Sequence, residues 1–192
     1  MNTMQFLDEK YIESEQFPRE FEITFSEVGT GDYNEVRVLL NNQKQLGDVI
    51  NDNSHINDFY RYHDIFHYTF ATLLGWSPCA RAMMRRKRKS NPSIDRAEDG
   101  ARAIIIEEAI SMIIFNEAKK KEFFKNAKRV SKTTLRTIKE MTENLEVNIR
   151  SEREWEKAIL KAYEVFRRLN TEMGGTVRFN LMTRDINYIS LN

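Results

Sequence analysis

NDFYRYHDIFHYTFATLL, residues 57–74, decides the fold of this chain. Aromatic and aliphatic residues recur at helical spacing on nearly every side, so the stretch reads as one largely buried helix. Gly75 and Trp76 end it. Ser77-Pro78 then matches an N-cap followed by proline at the first helical position, opening a short helix through about residue 88. Ser90-Asn91-Pro92-Ser93 interrupts, and Ser93 can cap a long helix over 94–118. Further helices fit 132–145 and 151–170, the last with Ser151 and Glu154 spaced as a capping box.

Outside this helical body the period changes to two. Phe21, Ile23 and Phe25 alternate with Glu22, Thr24 and Ser26, and Val36 and Val38 repeat the pattern after the turn-rich GTGDYN, residues 29–34. A third alternating run, Val177, Phe179 and Leu181, follows Gly174-Gly175. These runs predict a small antiparallel sheet uniting the two ends of the chain. The fold class is therefore mainly α (α+β), a helical body with a minor sheet. Residues 1–192 read as a single domain, with 1–15 and 184–192 as peripheral tails.

The 192 residues include 12 Phe, 7 Tyr and 2 Trp, enough for a core and against wholesale disorder. No stretch approaches 18 uncharged apolar residues, which excludes a helical membrane span. MNTMQFLDEK has neither the basic start nor the apolar block of a signal peptide, so a cytoplasmic location is expected. One cysteine, Cys79, excludes an internal disulfide and reads as structural. The formal net charge of +1 conceals an acidic first 35 residues and the basic RAMMRRKRK of residues 81–89.

Two constellations can carry chemistry. In HDIFH, His63 and His67 lie on one helical face, about 6 Å apart along the axis, a chelating pair for one metal ion, and Asp64 sits close enough to ligate or orient. Packing among aromatics is the alternative for the two rings. In EDGARAIIIEEAISMIIF, residues 98–115, the acids Glu107 and Glu108 sit in a segment apolar almost all round. Buried carboxylates there must be paired, protonated or bound to metal. Pairing of one of them with Arg102 is the alternative. His63, Asp64 and His67 on one helix, with Glu98, Asp99, Glu107 and Glu108 on the other, make the candidate metal ligands. Mg or Mn is the expected ion, with Zn or Fe compatible with the imidazoles. Glu107, Glu108 and Asp64 are the candidate catalytic groups. Arg81, Arg85, Arg86, Arg88, Lys89 and Arg102 are expected to hold phosphate, unless the run is a solvated helix end. No Walker, dinucleotide-binding or nucleophile-elbow motif is present.

FYRYHDIFHYTFATLLGWSP, RRKRKS and IDRAEDGARAIIIEEAIS resemble the C-terminal region of MazG-like nucleotide pyrophosphohydrolases. The similarity extends through EQFPREFEITF, LEVNIRSEREWEKAI and GGTVRF, about residues 15–182. What the resemblance implies is an all-α enzyme family that splits nucleoside triphosphates into monophosphate and pyrophosphate with Mg held by helix-borne carboxylates. The ExxE and ExxD pattern of the family's catalytic domain does not carry over. Ser111 follows Glu107-Glu108 where an acid is wanted, and Asp95-Arg96-Ala97-Glu98 has its acids in reversed order.

The leading expectation is a metal-dependent hydrolase of a nucleotide phosphoanhydride. The alternative is a non-catalytic module that binds a nucleotide or a partner enzyme. An HD-type phosphohydrolase lacks an identifiable earlier His and later Asp. Near-neutral overall charge disfavours nucleic acid, and a homodimer is left open.

Overall fold

Period-two alternation and helical period partition the chain much as the sequence suggests, and the computed structural model describes residues 6–29 and 34–190. Most of the GTGDYN connection lies outside the described residues. Strands β1 (Glu20–Glu27), β2 (Glu35–Leu40), β3 (Lys44–Gln45), β4 (Ile50–Asn51), β5 (Gly174–Asn180) and β6 (Asp185–Ile189) form one antiparallel sheet. Its order is β3-β2-β1-β5-β6, with β4 also pairing β2. The register sets Phe21 against Phe179, Ile23 against Val177 and Phe25 against Gly175, so one face is continuously apolar. On the other face Thr24 and Thr176 exchange a hydroxyl hydrogen bond of 2.8 Å. Gly175 has a φ of +145°, and an added Cβ would lie 2.5 Å from the Tyr188 ring. Only glycine fits that position.

The helices are α1 (Asp64–Leu74), α2 (Pro78–Met84), α3 (Pro92–Ala97), α4 (Ala101–Lys119), α5 (Lys132–Met141) and α6 (Glu152–Glu172). Every residue of α1 is buried, as its all-round apolar pattern requires. It packs against α6 through Phe66 on Tyr163 and Phe166, and Phe70 on Trp155. Gly75, at φ +72°, ends it. Ser77 caps α2 by accepting from the Ala80 amide, and Ser151 with Glu154 completes the capping box of α6.

Several expectations change, among them the short helix expected through about residue 88, which ends at Met84. The helix expected from residue 57 begins at Asp64, after a 3-10 turn over Tyr60–Tyr62. The helix expected over 94–118 is two, α3 capped by Asn91 rather than Ser93, and α4 beginning after Gly100. The described residues of the supposed tails are integral: Asp8 is 2% exposed, and residues 185–189 are strand β6. The sheet also means that the all-α architecture implied by the resemblance does not apply to this chain.

The break between α3 and α4 has a physical cause, and it corrects two phosphate-binding assignments. Asp99 turns inward and accepts from the Arg88 backbone amide at 2.7 Å, while Arg88 Nη2 lies 2.6 Å from its Oδ1. Arg88 also donates to both oxygens of Glu146, at 2.9 and 2.7 Å. Arg81 is equally committed, to Asp8 at 3.0 Å and to the carbonyls of Glu15 and Arg86. Arg81 and Arg88 are thus internal fasteners, whose guanidinium forks satisfy buried carboxylates instead of reaching a ligand. Removing one partner of such a group strands the other in low dielectric. Arg88→Met should therefore lower unfolding free energy by about 3–5 kcal/mol. Exposed Arg85→Ala should stay within about 0.5 kcal/mol, both read from urea denaturation.

Candidate functional site

Glu107 lies on α4 with its carboxylate sealed from water. Its Oε1 accepts from Ser77 Oγ at 2.7 Å and from His67 Nδ1 at 2.9 Å, and its Oε2 accepts from the Cys79 amide at 2.8 Å. Three donors from α1, from the α2 cap and from the first turn of α2 thereby converge on one side chain. Such saturation makes Glu107 an orienting group and not a free ligand. It fixes Nδ1 of His67 as the protonated nitrogen and leaves Nε2 facing away.

His63 is set in a parallel manner. Its Nδ1 lies 2.9 Å from the Tyr60 carbonyl, which can only accept, so Nδ1 carries the proton and Nε2 is free. The Tyr60 ring stacks on the imidazole with centroids 4.2 Å apart. Nε2 of His63 lies 3.4 Å from Asp64 Oδ1, and Nε2 of His67 lies 3.4 Å from Glu108 Oε1. Among the described residues, His67 Nε2 and Asp64 Oδ2 are buried without a hydrogen-bond partner. Donor atoms of His63, His67 and Glu108 fall within 4.8 Å of one another. The two Nε2 atoms, that of His67 once its proton is lost, face carboxylates on the same side and suit a divalent metal of the Mn, Fe or Zn kind. Orphaned buried acceptors fit such an ion.

A second convergence, His67, Cys79 and Glu107, is fully buried. Burial pushes the Cys79 thiol well above its ordinary value, so it stays protonated and is a poor ligand. The open group is the better one, since the Glu108 side chain is 42% exposed. Although burial works against ionisation of Glu108, the His67 imidazole 3.4 Å away holds the carboxyl down at about 2.

The remaining expected site residues lie elsewhere. Glu98 accepts from the Glu146 amide, and Asp99 belongs to Arg88, so neither joins the histidines. Arg102 is exposed in the first turn of α4. Arg85, Arg86 and Lys89 sit beyond the C-terminal end of α2, whereas Ser77 at its other end touches Glu107. Sequence reasoning did not single out Tyr60, although it stands three residues before His63 in an aromatic run. Burial, then the nearby Glu108 charge, pushes its phenol up to about 12. Ser77 was legible only as a cap, and its second bond was not.

Paired imidazoles and carboxylates thus face one another where α1 meets α4 in an α+β domain. The model of the MazG C-terminal domain matches residues 2–192, and the chain belongs to that family. No curated protein and no solved structure matches it.

Burial disfavours a charged His67, yet the ring is raised well above 6.5. With the Cys79 thiol neutral, the Glu107 carboxylate is the group that holds the imidazolium. A raised value gives stability that is full below about pH 6.5 and lost as pH rises through the folded-state value. In chelator, the stability of the wild type should therefore fall with pH above about 6.5 relative to Glu107→Gln, by urea midpoints at successive pH. Parallel curves for the two proteins would remove Glu107 as the holder of that proton.

Proposed function

We propose that the chain binds a divalent metal ion through His63 Nε2, His67 Nε2 and Glu108, with Asp64 beside them, and hydrolyses a phosphoanhydride bond of a nucleotide. The single observation carrying the metal reading is that both Nδ1 atoms are occupied by fixed acceptors while both Nε2 atoms face carboxylates. Membership of the MazG C-terminal domain family supports nucleotide phosphoanhydrides as the substrate class. An ion held there would supply Lewis-acid polarisation of a phosphoryl group and an activated water.

The residues of the chain do the rest. Glu107 keeps the His67 ring in one orientation, and the Tyr60 carbonyl does the same for His63. Proton and metal compete for Nε2 of His67, so binding releases a proton and strengthens with pH. Glu108, ionised and half-buried, is placed either to ligate or to accept a proton from attacking water. Two imidazoles favour Mn, Zn or Fe over Mg.

A second reading, a nucleotide- or partner-binding accessory module, is favoured by α4 itself. Ile105 is 66% exposed and Met112 41% exposed, three residues before and four after Glu108. They form an apolar margin on the face that carries the carboxylate.

A nucleotide panel with Mn or Mg, assayed separately for phosphate and pyrophosphate, tests the proposal. Monophosphate with pyrophosphate supports a MazG-like hydrolase, and metal binding without turnover supports the accessory module. Mn at 100 times its dissociation constant should raise wild-type stability by about 2.7 kcal/mol. His63→Ala and His67→Ala should abolish that gain, and Glu107→Gln should weaken Mn binding by about 10–100-fold. Equal Mn stabilisation of all four proteins would refute the assignment.

A further inference from the structure

The basic run divides in the folded chain. Arg81 and Arg88 point inward, whereas Arg85, Lys87 and Lys89 line a concave surface of about 430 Å³ with Ser14, Glu15 and Ala82. Among the described residues, no side chain of Arg85, Lys87 or Lys89 makes an ion pair or hydrogen bond. The Glu15 carboxylate lining the same surface is turned to the Ser90 amide at 2.7 Å and to its hydroxyl.

The backbone beneath these cations is fixed. Arg88, between Lys87 and Lys89, is pinned through both its amide and its guanidinium to Asp99. Arg85 closes α2 in a left-handed conformation at φ 58°. The Arg81 guanidinium accepts no slack in the loop, since it binds the Arg86 carbonyl at 3.0 Å, and Arg86 itself reaches the Glu13 carbonyl at 3.0 Å. Three like charges are therefore held around one cavity by a loop that cannot spread them apart, and a multiply charged anion relieves their repulsion.

We propose that the pocket of Arg85, Lys87 and Lys89 is a binding site for a polyphosphate anion of the pyrophosphate or nucleotide-tail class, separate from the histidine cluster. Its position supports the separation. Arg85 caps the C-terminal end of α2, while Ser77 at the N-terminal end contacts Glu107. The seven residues of α2 hold the two places roughly 10 Å apart along the axis. This site does not rest on the metal reading, because the cations need no ion to bind phosphate.

Titration calorimetry with inorganic pyrophosphate, on the full chain in EDTA, tests it. Binding should appear at low ionic strength and weaken as salt screens the cations. Arg85→Glu with Lys89→Glu should lower affinity more than tenfold, and Arg85→Gln with Lys89→Gln should lower it less. His63→Ala and Glu108→Gln should leave it unchanged. Sulfate should bind at least tenfold more weakly, as it carries fewer charges. No heat at low salt, or equal affinity in the charge-reversed variant, would overturn the proposal. So would loss of binding in His63→Ala, which would move the anion to the histidines. A single-stranded oligonucleotide binding tenfold tighter through the same residues would also overturn it, in favour of a nucleic-acid surface.

Discussion

Glu107 is a carboxylate with no surface open to solvent, and the arrangement of three helices follows from how that cost is met. Burying an ionised group without partners costs several kcal/mol, so the surroundings must bring donors to it. They come from three places: His67 on α1, the hydroxyl of Ser77, and the Cys79 amide in the opening turn of α2. The amide is one of the unpaired donors at a helix start, where negative charge is also favoured by the helix dipole. One side chain on α4 thus closes the corner between α1 and α2 and aims the imidazole that faces Glu108. Stability and site geometry share this atom set.

Buried ion pairs fasten the other end of α2. Arg81 ties it to the N-terminal segment through Asp8, and Arg88 ties the following loop to Asp99 and Glu146. The short helix is therefore anchored at both ends by charge, with an apolar body between. The consequence for the basic run is a sorting by direction, with Arg81 and Arg88 turned into the protein, Arg86 tied to the Glu13 carbonyl, and Arg85, Lys87 and Lys89 turned outward.

Much of this was legible in the sequence where periodicity is strong. Phe21, Ile23 and Phe25 alternate because one sheet face is buried, and Val177 and Phe179 answer them across the register. His63 and His67 share a face because of their i, i+4 spacing, and Glu107 does meet His67. What remained hidden depends on contacts between distant segments. No local pattern shows that Asp8 reaches Arg81, or that Asp99 turns back to Arg88 and ends a helix there. Composition likewise cannot distinguish a phosphate-seeking arginine from one that holds the core. Strand β6 was missed because the short DINYI stretch after Arg184 reads as a tail, and only pairing with β5 makes it a strand.

Strand β1 sits in the middle of the sheet, between β2 and β5, yet its two neighbours come from opposite ends of the chain. Thr24 waits for Thr176, 152 residues later, before that edge is closed. During synthesis the hairpin of β1 and β2 emerges before β5, leaving one β1 edge open and Phe21, Ile23 and Phe25 uncovered. An unpaired apolar edge invites association with other chains. Closure spans 152 residues, so its entropic cost falls late and slows completion of the sheet. A nascent chain therefore carries β1 with one edge uncovered until β5 has emerged, and a chaperone that shields that strand over this interval should raise the yield of folded protein.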